Sequence, residues 1–134
     1  MITEDYVSFE TAKLLKEKGF NEPCRKIYFT NGDLTDADAS YLCEITNSCM
    51  PGFRQNGLCT SPTQQMVMKW LREVHKINLH LVPFYGFNGE YTDNCKWIYG
   101  IDFKNKGISL NFPKFNSYEE ACESAIKYCL ENLI

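Results

Sequence analysis

No pair of cysteines in this sequence is spaced CxxC, and no stretch reaches the roughly 18 apolar residues of a membrane span. Positive charge is not in excess either. Each absence removes a class of function. Without CxxC, neither the zinc-ribbon pattern nor the thioredoxin-type redox motif is present. The longest apolar candidate, residues 77–87, is broken by Asn78, His80 and Pro83, so a soluble protein is expected. Glycine is also sparse where phosphate chemistry would use it: Gly86-Phe-Asn-Gly89 lacks both the P-loop lysine and the dinucleotide-binding pattern. No cofactor is implied by any motif. Fourteen Lys and Arg residues stand against 17 Asp and Glu, a net charge of -3, and neither half is basic: residues 1–60 carry 6 basic and 9 acidic residues, residues 61–134 carry 8 of each. Nucleic-acid binding is therefore disfavoured on charge, because neutralising phosphates normally requires a basic surface. Glu4 and Asp5 interrupt what would be the positive region of a secretory signal, and a cytoplasmic location is expected.

What the chain does have is enough length and apolar content for a core. At 134 residues, with 44% hydrophobic and 23% charged residues, it reads as one domain, and a domain of this size buries about 68% of its unfolded surface without disulfides or metal. Seven cysteines is a high count, but it is odd and the spacing is irregular, so reduced thiols are expected.

Local signals give the order of elements. Ser8 as N-cap and Gly19 as a left-handed terminator bound a helix over 9–18. A strand over 24–29 runs into Asn31-Gly32, a hairpin dipeptide, with its partner expected at 41–45. Residues 46–60 have neither a strand nor a helix period and read as a long loop, the first place to look for a site. Ser61-Pro62 opens a second helix over 62–76, with Met66, Val67, Trp70, Leu71 and Val74 on one face. Strands follow at 77–82, 95–103 and 108–112. Ser117 and Glu120 then form a capping box for a last helix, whose apolar stripe is Tyr118, Cys122, Ala125, Ile126, Cys129 and Leu133. The expected fold class is α+β, a mainly antiparallel sheet packed against two or three helices, in the order α-β-(β)-loop-α-β-β-β-α.

Three constellations are candidates for function. Cys43, Cys49 and Cys59, with Cys24, His75 or His80, offer zinc ligands, although gaps of five and nine residues do not give the close pairs of structural sites. Cys59 just before the second helix, with His75 or His80 as base, is the candidate thiol nucleophile. Trp97 and Tyr99 share one face of their strand. If Ile98 points inward they are exposed and, with Phe53 and Arg54 of the 46–60 loop, form a partner-binding surface or a self-association patch.

The order α-β-β-β-α from Pro62 to Leu133 is similar to that of the double-stranded-RNA-binding domain, but Ser117-Tyr-Glu-Glu120 puts two acids where that family has lysines. The segments YVSFETAKLLKEKGF at 6–20, SPTQQMVMKWLREVHKI at 61–77 and SYEEACESAIKYCLENLI at 117–134 resemble a family of small uncharacterised proteins from gut bacterial and prophage genomes. That resemblance implies a phage-associated cytoplasmic setting and assigns no catalytic residue. The function expected is a small non-enzymatic binding or accessory protein acting through protein–protein contacts. The alternatives are a nucleic-acid accessory factor, which would need Lys69, Arg72 and Lys76 to gather on one surface, and a thiol- or zinc-dependent enzyme.

Overall fold

Residues 1–37, 44–50, 56–84, 95–104, 108–109 and 113–134 are described in the computed structural model. The structure is α+β, every named strand pair is antiparallel, and the strands fall into two three-stranded sheets where the sequence suggested one. The chain divides into two compact units, Met1–Thr63 with Leu130–Ile134, and Gln64–Cys129.

In the first unit, helix α1 (Phe9–Glu17) begins and ends as its residues dictate. The Ser8 hydroxyl accepts from the Thr11 N–H at 3.2 Å, satisfying one orphan donor of the first turn. At the other end Gly19 takes φ +88°, the Gly19 N–H donates to Lys16 and the Phe20 N–H to Leu15. This is a Schellman closure, with Phe20 and Leu15 both buried. Strand β1 (Lys26–Phe29) lies between β2 (Leu34–Asp36) and β3 (Gly57–Thr60). Ile27 packs with Ala37, Ile45 and Met50 as the buried cluster.

Two expectations are corrected here. The hairpin turn falls at Asn31-Gly32 with Gly32 at φ +90°, but it closes at once onto Leu34–Asp36. Ile45 instead makes an isolated antiparallel bridge to Cys24. Residues 46–60 are not one unstructured connection: Asn47–Cys49 is a 3-10 turn and Gly57–Thr60 is strand β3 beside β1. A buried amide explains the order there. Asn47 donates from Nδ2 to the Phe20 carbonyl at 2.8 Å and accepts at Oδ1 from the Thr60 N–H at 2.9 Å, so its side chain does the pairing that no backbone ladder supplies.

In the second unit, helix α2 spans Gln64–Val74 and buries Val67, Trp70 and Leu71, while Val74 is exposed. It starts later than Ser61-Pro62 suggested. The Ser61 N–H donates to Lys26 and the Pro62 carbonyl accepts from Val7, which ties both residues into the first unit. Strands β4 (Ile77–Phe84) and β5 (Lys96–Phe103) pair over their full length from Ile77↔Phe103 to Phe84↔Lys96, and β6 (Ile108–Ser109) adds to β5. Helix α3 (Tyr118–Asn132) opens with the Glu120 N–H donating to Ser117 Oγ at 3.1 Å. Glu120 in turn accepts from the Asn116 N–H, one residue earlier than a standard capping box. Ala121, Cys122, Ala125, Ile126 and Cys129 of α3 are buried. No helix among the described residues is long and apolar enough to cross a membrane.

Candidate functional site

Cys59 and Cys24 are placed against nucleophilic use. Cys59 sits within β3 and not at a helix N-terminus, is fully buried, and burial pushes its thiol up to about 11 although Lys16 and Lys13 pull the other way. A nucleophilic thiol needs the opposite shift. Cys24 is likewise pushed up to about 11 by burial. Cys49 is exposed, and the Thr46 hydroxyl, 3.4 Å from its sulfur, lowers its pKa together with Ser48. Cys43 lies outside the described residues. His75 meets the Trp70 ring edge-on at 4.6 Å and is held below its ordinary pKa by burial, while His80 stands on β4 opposite Gly100. Among the described residues no three His, Cys, Asp or Glu side chains are arranged to hold a metal.

The aromatic pair keeps its expected common face, but that face is turned inward. Tyr99 is 3% exposed and stacks on Phe115 with ring centroids 5.9 Å apart. Trp97 is half-buried, meets Tyr118 edge-on at 5.3 Å, and exchanges two backbone hydrogen bonds with Phe115. The exposure that would make them partner anchors is therefore absent at Tyr99. The two share one side of β5 as alternation requires, and Phe115 and Tyr118, from a separate segment, lie against that side. Phe53 and Arg54 lie outside the described residues.

A site that sequence reasoning did not assemble lies at the open end of the β4–β5 ladder. Lys76 immediately precedes the terminal pair Ile77↔Phe103, and Lys104 immediately follows it. The next rung places Asn78 opposite Asp102, and Arg72 lies one turn back from Lys76 towards the last turn of α2. These five residues line a cleft of about 450 Å³. Both lysines adopt left-handed backbone, φ +59° at Lys76 and +53° at Lys104. That conformation costs a side-chain-bearing residue roughly 1–2 kcal/mol and glycine nothing comparable.

The charges around the cleft are largely unspent. Lys76 donates from Nζ to the Glu73 carbonyl at 2.8 Å, which seats its ammonium at the negative end of α2 without a carboxylate partner among the described residues. Lys104 lies 4.9 Å from the Phe103 ring centroid, and Arg72 has no ion pair among the described residues. Lys69, one turn before Glu73, does pair with it at 4.0 Å and stays out of the cleft. Three cations thus face one carboxylate. Of the residues expected to gather, Arg72 and Lys76 do and Lys69 does not. Their i, i+4 spacing is visible in the sequence, whereas Asn78, Asp102 and Lys104 join only through strand register across about a third of the second unit. No family model, no curated protein and no solved structure matches the chain.

Proposed function

We propose that this chain is a small non-enzymatic binding protein that takes an anionic group in the cleft at the open end of β4 and β5. One observation carries the reading: Arg72, Lys76 and Lys104 converge with Asn78 on a cleft whose one acid among the described residues is Asp102. Cations grouped in a concavity focus potential and attract an anion whatever the total charge of the chain. The volume of about 450 Å³ suits a small molecule or a single charged moiety. A nucleic-acid track would need further cations continuing the surface, and Lys69 is engaged with Glu73 instead. The binding role agrees with the expectation from sequence, while its surface moves from the aromatic pair to the cleft. A reducing cytoplasm, in a phage-associated setting, is the location we attach to it; the free thiols support the first part and the resemblance of three segments the second.

The test is a titration of isotope-labelled protein with inorganic phosphate, followed by amide chemical shifts. Saturable shifts at residues 72, 76, 78, 102 and 104, weakened by added sodium chloride, are the expected result. Shifts scattered over the surface, or none, would sink the proposal.

A further inference from the structure

Building on the anion-binding reading, we infer that the cleft is shaped for a phosphate monoester that also carries a free hydroxyl, the chemistry of a sugar phosphate. The charge balance points to the phosphate. Among the described lining residues three cations less one carboxylate leave a surplus of two positive charges, and a phosphate monoester at neutral pH carries about -1.5 to -2. A diester, with one negative charge, would leave cations unmatched. Arg72 supplies a planar fork suited to two phosphate oxygens, and the two lysines add point charges.

The hydroxyl follows from Asp102. An ionised carboxylate only accepts hydrogen bonds and repels a bare anion, so its place in a cationic cleft is useful to a ligand that brings a donor. Asn78, its direct partner across the ladder, can donate or accept. The pair can therefore read a hydroxyl or two neighbouring hydroxyls, two positions inward from Lys76 and Lys104. The backbone gives an independent indication. Glycine would relax both left-handed positions, and a lysine stands at each of them on the same cleft. What those positions retain at the expense of strain is an ammonium group.

Calorimetric titrations with ribose 5-phosphate, inorganic phosphate, ribose and a single-stranded thymidine oligomer test this. Ribose 5-phosphate is expected to bind about tenfold tighter than inorganic phosphate, the worth of one hydrogen bond to a charged group, and ribose alone not to bind. Asp102→Ala should tighten inorganic phosphate while abolishing the advantage of the sugar phosphate. A merely cationic patch would instead bind both anions more tightly in this variant, which would overturn the inference. Lys76→Gly and Lys104→Gly should each weaken ribose 5-phosphate by about tenfold with a Tm no lower than that of the parent chain. A retained affinity in both glycine variants would also overturn it. If inorganic phosphate binds at the cleft and ribose 5-phosphate binds no tighter, the hydroxyl reading fails and the anion site stands. If neither binds, both readings fail. Tighter binding of the oligomer, with a steep salt dependence, would reassign the cleft to nucleic acid.

Discussion

The first compact unit engages several of its polar side chains in its own interior, and the second turns several of its cations outward. In the first, Lys16 donates to the Leu58 carbonyl at 2.6 Å, Lys26 pairs with Asp36 at 3.0 Å, Tyr28 donates to the Val7 carbonyl at 2.7 Å, and Asn47 ties two backbone groups together. In the second, Arg72, Lys76 and Lys104 edge a cleft with Asp102 as its one acid among the described residues. The sequence of the first unit holds six basic and ten acidic residues, and that of the second holds eight and seven. A net charge of -3 for the chain is therefore a sum over unlike parts, and it does not tell how cations are grouped within either one. Polar groups that satisfy one another hold a fold together; polar groups left facing solvent around a concavity are available to something else.

The largest effect expected from this contrast is alkaline. Burial raises the folded pKa of Cys24 and Cys59 to about 11, above the 9.0 of an unburied thiol. Between those values the unfolded chain loses protons that the folded one keeps. Their contribution is whole below pH 9 and is lost as pH rises towards 11, at up to about 1.4 kcal/mol per pH unit for each thiol. Urea midpoints measured at pH 8, 9 and 10 should fall accordingly, and a Cys24→Ala, Cys59→Ala double variant should make the slope shallower while leaving the share of Cys129, whose thiol burial pushes up to about 12. An equally steep fall in that variant would assign the effect to other groups.

Next in size is Asn47→Ala, which strips partners from the Phe20 carbonyl and the Thr60 N–H inside the first unit. A loss of about 2–4 kcal/mol in urea denaturation is expected from two buried groups left unsatisfied. A loss below about 1 kcal/mol would mean that water replaces the amide. The smallest effect sharpens the comparison from the other side: Arg72→Ala should change stability by no more than about 0.5 kcal/mol, as for a surface side chain without a structural partner. A much larger loss would make the cleft's charge structural and erase the distinction between the units.

Much of the fold was legible because its signals are local. Ser8, Gly19, Asn31-Gly32 and the Ser117–Glu120 cap each act within a few residues, and each sits where the sequence put it. Strand β3 was not legible. Gly57-Leu-Cys-Thr60 is too short to show a period, and it becomes a strand by pairing with β1 and by the hold of Asn47 on Thr60. The start of α2 was misplaced for a related reason: Ser61 and Pro62 carry helix-opening chemistry but are held by hydrogen bonds to Lys26 and Val7. The candidate site was legible by half. Two of its cations lie one turn apart on or beside a helix, but the other lining residues depend on β4 and β5 meeting in one register, which no local pattern specifies.

The brevity of β2 has a bearing on how this protein behaves at high concentration. Among the described residues Leu34–Asp36 is an outer strand of its sheet and offers three residues of backbone. One of them is a carboxylate already engaged by Lys26. Open sheet margins are templates on which other chains add, and charge and shortness are the means by which such margins are blunted. A strand arriving at β2 finds too few amide and carbonyl groups to extend a ladder, so this margin is a poor seed for fibril growth.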